Sequence, residues 1–232
     1  MALTESAGGA WVTGNATSVT TGSFTPSAGA LLVALGCMGN GGNASETSQA
    51  VSGSAAGTWT QLCGVVVLGG GPMAGVWVKD AGASPPAQTV TYTPFTGGGG
   101  LGLIVRQFTG AAPAAQQTGV TATTASAGAA AYTLGITPQV TGSQVVGAFG
   151  RSSNSQTLTA NASTSIYSQA NSPDGDTEAA LEAAALSVAG TGVVLGATNA
   201  PGGANVLALA EIIPAVLAGA GASDRHHRRG SW

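Results

Sequence analysis

The chain has 232 residues and a mass of 22.1 kDa, and 44 Ala, 38 Gly and 48 Ser or Thr fill 130 of its positions. Charged residues make up only 6% and the formal charge is -3, which excludes a coiled coil, a highly charged disordered tail and a broad nucleic-acid-binding field. The glycines keep no three-residue period, which excludes collagen.

Leu, Ile, Val and Phe total about a fifth of the chain but fall in compact runs separated by Gly, Pro and Asn. This pattern predicts strands at Ser18–Thr25, Ala30–Met38, Thr58–Leu68, Met73–Lys79, Gln88–Tyr92 and Leu101–Thr109. After a small-residue linker from Ala111 to Thr118, further strands are expected at Val120–Thr124, Ala131–Ile136, Ser143–Gly150, Ser165–Gln169, Ala179–Ser187, Gly192–Ala197 and Ala204–Ile213. One stretch conflicts locally with this scheme. Asp174-Gly-Asp-Thr-Glu-Ala-Ala-Leu-Glu-Ala-Ala-Ala-Leu has acidic residues in a first turn followed by strong helix formers. Its place in the repeat described next favours a strand, because tertiary context can override propensity.

Two halves of the chain follow one plan. Phe24-Thr-Pro before Leu31-Leu-Val is echoed by Ile136-Thr-Pro before Gln144-Val-Val. Thr58-Trp-Thr-Gln is matched by Ser165-Ile-Tyr-Ser-Gln, and Gln88-Thr-Val-Thr-Tyr by Gly192-Val-Val-Leu-Gly. Each half ends in a glycine-rich loop and a strand, Gly97–Gly100 into Leu101–Ala111 and Pro201–Gly203 into Asn205–Ala215. The expected organisation is an N-terminal arm at 1–17, one β-sandwich over 18–216 built from pseudo-repeats of about 18–112 and 113–216, and a basic tail at 217–232. Neither half alone has enough strands and aromatics for a large core, so the strands of the two are expected to interleave into one sandwich.

The motifs Phe24-Thr-Pro, Gly57-Thr-Trp59-Thr, Val76-Trp-Val, Thr89-Val-Thr, Val105-Arg-Gln-Phe-Thr-Gly-Ala111 and Leu207-Ala-Leu-Ala-Glu-Ile-Ile-Pro214-Ala215 resemble a broad group of glycine-rich jelly-roll proteins from actinobacteria and their tailed bacteriophages. The resemblance spans about residues 18–216. It implies an all-β, jelly-roll-like antiparallel sandwich acting as a non-enzymatic virion component, either a minor tail protein or a capsid-decorating one. It also implies homo-oligomers, contacts with other virion proteins and localisation to the virion, and it brings no catalytic, cofactor or metal residues with it.

The residues themselves favour the same class. The only histidines, His226 and His227, lie in the tail, which leaves Ser-His-Asp and Cys-His chemistry without an internal base. Asp174, Asp176, Glu178 and Glu182 are the one acidic cluster that paired-carboxylate chemistry could use, but they follow Asn-Ser-Pro and are expected in a solvated loop. Asp174-Gly-Asp176 lacks the remaining ligands of an EF-hand loop, and Cys37 and Cys63 with two tail histidines lack zinc spacing. No cofactor is therefore expected, and the two cysteines are read as buried free thiols rather than a disulfide. Gly97–Gly100 lacks the following Lys-Ser or Lys-Thr of a phosphate loop. No basic region followed by an apolar stretch opens the chain, and no run of about 18 clean apolar residues predicts a membrane span.

Trp59 and Trp77 fall inside strands and are expected to anchor the core. Trp11 and Trp232 lie towards the termini, outside the expected sandwich, and with Arg225, His226, His227, Arg228 and Arg229 of the tail are candidate assembly contacts. The tail from Asp224 carries a formal +2, which favours a partner protein over nucleic acid because three arginines are few for phosphate binding. A second functional class, a glycan-binding module on the host surface, would use Tyr92 and Phe95, or Tyr167 near Gln169 and Asn171.

Overall fold

A computed structural model of the chain describes residues 2–39, 49–67, 71–94, 99–126, 132–152, 156–171, 176–198 and 203–215. The strands are β1 Thr4–Ala7, β2 Val12–Ala16, β3 Val19–Thr20, β4 Leu31–Met38, β5 Ala50–Gly53, β6 Thr60–Val66, β7 Met73–Asp80, β8 Val90–Thr93, β9 Gly99–Thr109, β10 Thr121–Ser126, β11 Tyr132–Ile136, β12 Gln144–Arg151, β13 Thr164–Asn171, β14 Thr177–Ala183, β15 Val193–Ala197 and β16 Asn205–Ile212. The linker contains a short 3-10 turn at Ala114–Gln116, and the described residues contain no α-helix.

The longest apolar runs form strands buried on both faces, because four sheets stack in layers. The first large sheet has the order β1-β9-β4-β7-β6, with β2 also paired to β9, and the second has the order β10-β16-β12-β14-β13. Read along the chain, the two orders correspond place for place: in each half the first strand lies beside the last, and the last beside the strand at the centre. All paired registers are antiparallel. A small sheet accompanies each large one, β3-β8-β5 in the first half and β11-β15 in the second. Each half is thus its own jelly-roll-like sandwich, and the halves meet through their large sheets. Interleaving, expected from the small apolar content of each half, does not occur. The seam between the large sheets supplies the extra burial instead.

Side-chain alternation along each strand separates the three cores. On β4, Leu31, Val33, Leu35 and Cys37 enter the seam with Ala74, Val76 and Val78 of β7, and meet Val146 and Ala148 of β12 and Val206, Ala208 and Ala210 of β16. The intervening Leu32, Ala34 and Met38 pack with Trp77, Val90 and Tyr92 beneath the first small sheet. In the second half, Val145, Phe149, Leu181, Leu207 and Leu209 do the same with Tyr132 and Leu195. Many seam residues are Ala or Gly, which lets the sheets approach closely. A Cβ on Gly150 would lie 2.5 Å from the Met38 carbonyl oxygen and 2.7 Å from that of Met73.

Residues 4–16 are strands of the first large sheet rather than an arm outside it. β1 and β2 run end to end along β9, joined by Gly8-Gly9, where Gly8 donates its N–H to the Val105 carbonyl and the Gly9 carbonyl accepts from Val105. The helix-prone stretch also forms a strand, β14, paired on one side with β12 and on the other with β13. Its sequence alternates as a strand must: Ala179, Leu181 and Ala183 join the second core while Ala180 enters the seam. Ladder pairing on both edges and burial of both faces override local helix propensity here.

Buried polar side chains fasten these layers. Glu211 of β16, 1% exposed, accepts hydrogen bonds from the backbone N–H groups of Val120, Gln139 and Val140 at 2.9–3.2 Å. Gln117 ties the linker to β16 by donating to the Ala112 and Ile213 carbonyls and accepting from Ile213 N–H. Lys79 donates to the Ala55 carbonyl at 2.8 Å with its ammonium 6.0 Å from the Trp59 ring centre, and burial lowers its pKa.

Candidate functional site

The seam opens at one end into a pocket of about 300 Å³ lined by Leu3, Glu5, Phe108, Gln144, Glu182 and Leu186, among others. Four strands, two from each half, bring its charged and phenolic groups together. Strand alternation sends Arg106 of β9 to the same face as Ile104 and Phe108, and Glu182 of β14 to the same face as Ala180. Arg106 Nε pairs with Glu5 Oε1 of β1 at 2.5 Å, and its guanidinium lies 4.4 Å from the ring centre of Tyr167 on β13. Gln144 of β12 donates from Nε2 to Glu182 Oε2 at 3.1 Å and to the Ala183 carbonyl at 2.8 Å.

The electrostatics follow from this crowding. Burial raises the Glu182 pKa to about 7; the Tyr167 hydroxyl and Arg106 oppose the rise, while hydrogen bonding to Glu5 and its charge add to it. Burial, followed by the Glu5 and Glu182 carboxylates, pushes the Tyr167 phenol well above its ordinary value. The Tyr167 oxygen faces both carboxylates without an aligned hydrogen bond to either.

The acidic cluster expected in a solvated loop is buried in part: Asp176 is 2% and Glu178 0% exposed, and Glu182 lies in the seam pocket. Asp174 lies outside the described residues. The exposed-loop expectation failed because β14 is a central strand whose polar face is turned into the seam. Glu178 lies near Cys37, whose thiol is pushed well up by burial and then by that carboxylate. Cys37 and Cys63 are both free thiols, Cys37 buried as expected and Cys63 only half-buried. Among the described residues no group of three or more His, Cys, Asp or Glu could hold a metal ion, and no helix is long and apolar enough to cross a membrane.

Trp59 and Trp77 are 9% and 3% exposed and belong to the first-half core, with Trp77 5.6 Å from Tyr92 between ring centres. Trp11 is not outside the sandwich: its ring packs against the seam, over Gly102 and beside Cys37. Arg225, His226, His227, Arg228, Arg229 and Trp232 lie outside the described residues, as does Phe95. Tyr92 is fully buried, and Arg106 lies over one face of the half-buried Tyr167 ring.

Sequence reasoning missed the pairing of Glu5 and Arg106, which are 101 residues apart. The alternation of Arg106 with Ile104 and Phe108 was the available signal, but its partner sat in a segment not read as a strand. It also missed three exposed apolar side chains, Leu186 and Val188 following β14 and Val194 on β15, at 49%, 57% and 41% exposure. Leu186 and Val188 also line a second depression of about 300 Å³. Comparison of the chain with protein-family models, curated proteins and solved structures finds no match.

Proposed function

We propose that this protein is a non-enzymatic structural component of a bacteriophage virion, a minor tail or capsid-decorating protein that works through protein–protein contacts. The observation that carries this reading is the exposed apolar pair Leu186 and Val188, lining one depression, on a body whose buried Glu211, Gln117 and Lys79 hold backbone rather than face a cleft. Exposed apolar surfaces of this kind suit docking to a neighbouring subunit. The jelly-roll-like strand order fits the resemblance carried by Phe24-Thr-Pro and Val105-Arg-Gln-Phe-Thr-Gly. The assignment to a virion rests on that resemblance, and homo-oligomerisation is part of the same proposal.

Light scattering coupled to size-exclusion chromatography tests it, on the full-length protein and on a variant ending at Gly221. A multimer in the full-length protein supports an assembly role, and its dissociation on truncation makes the tail an assembly element. A monomer in both samples that binds host-surface glycans would replace this reading with an adhesion module.

A further inference from the structure

The seam pocket contains a charge arrangement that the structural role does not explain. Glu5 comes from the first half and Glu182 from the second, both line this one pocket, and the guanidinium of Arg106 is paired with Glu5. Among the described residues, β1 supplies Glu5, β9 Arg106, β13 Tyr167 and β12 Gln144, while residues 183–186 supply Ala and Leu. Lys79 is engaged at Ala55 and Trp59, and Arg151 is wholly buried on β12, on the face that packs with Val145 and Phe149 rather than in the seam. Among the described residues, one negative charge is therefore matched and a second is not. The Glu5–Arg106 pair is itself only about a fifth exposed, at 18% and 21%, so water screens the excess charge poorly.

We propose that the Glu5–Glu182 contact is a proton-controlled latch between the two jelly-roll halves. With one proton shared, the Glu182 carboxyl donates a hydrogen bond to the Glu5 carboxylate, which Arg106 holds, and the end of the seam is closed. When that proton leaves, two carboxylates face each other across the seam, and β1 and β13 separate at the pocket while the apolar seam beyond them stays packed. Two carboxyls close together cannot both ionise without cost.

The sign follows from linkage. Glu182 has its midpoint raised in the folded protein, to about 7 from an ordinary carboxyl value, so between those limits the folded state binds more protons than the unfolded one. The stability contributed is complete below the ordinary carboxyl range and is lost as pH rises through about 7.

Hydrogen exchange on the full-length protein at pH 5 and pH 8, expressed as protection factors, tests the latch. Wild-type amides in Thr4–Ala7 and Thr164–Asn171 are expected to lose about tenfold protection at pH 8, equivalent to one unit of coupling, while β4 and β7 keep theirs. Glu182→Gln, which retains an acceptor for Gln144, is expected to remove the pH dependence. Glu5→Gln removes the facing charge and is expected to reduce the pH dependence, leaving the part that burial of Glu182 alone produces. Equal pH dependence in wild type and Glu182→Gln, an undiminished effect in Glu5→Gln, or a loss spread evenly over β4 and β7 would each overturn the proposal.

Discussion

The Trp11 ring occupies the space into which Gly102 would project a side chain. A Cβ there would fall 2.4 Å from Trp11 Cη2 and 3.0 Å from Cys37 Sγ. Because the ring is trapped between β9 and the seam core, Gly102→Ala must displace it and is expected to cost about 1–3 kcal/mol. In a Trp11→Ala background the same substitution should cost markedly less, since the obstruction is gone. Urea unfolding of the four proteins in this cycle measures the coupling. Equal cost in both backgrounds would mean that the ring can move aside freely.

Much of this fold was legible from residues such as Leu31–Met38 and Gln144–Arg151, because a strand buried on both faces needs an uninterrupted apolar run and little else resembles one. β1, β2 and β5 were not legible. Thr4-Glu-Ser-Ala and Ala50-Val-Ser-Gly lack apolar alternation, and Gly8-Gly9 breaks what is one edge strand into two pieces. The candidate site depended on those hidden strands. Glu5 could be placed against Arg106 and Glu182 only once Thr4–Ala7 was known to pair with β9. Separate halves could not be told from interleaved ones for a related reason: Ala and Gly fill the seam, and their small side chains say little about how closely two sheets will approach.

Glu211 gives the sharpest test of a buried structural charge. Its carboxylate accepts from three backbone N–H groups of two separate segments, so removing it leaves three part-buried donors without their acceptor. Glu211→Ala is expected to cost about 3 kcal/mol or more, since each hydrogen bond to a charged group contributes roughly 1.5–3 kcal/mol. Glu211→Gln keeps one acceptor oxygen and should cost less. Urea midpoints of the two variants provide the comparison, and equal losses would show that the negative charge itself, not acceptor count, is what matters.

The thiols should be silent in the native protein. Cys37 is wholly buried, and burial pushes the Cys63 thiol up to about 12, so neither supplies thiolate near neutral pH. A soluble thiol reagent at pH 8 should react with the two cysteines only on unfolding, at a rate that follows the unfolded fraction. Rapid labelling under native conditions would show that the seam beside β6 opens far more often than its packing implies.

Leu186, Val188 and Val194 separate folding from assembly. At 41–57% exposure they contribute little to any of the three cores, so Leu186→Asp and Val188→Asp should leave the thermal midpoint of the monomer nearly unchanged, within about 0.5 kcal/mol. The same charges placed in a subunit contact would lose their hydration without gaining a partner and would weaken association strongly. The expected outcome is a protein that unfolds as the wild type does but shows a lower mass by light scattering. If the mass is unchanged, the surface around Leu186 and Val188 is not the assembly surface, and the contacts that build any oligomer lie elsewhere on the molecule.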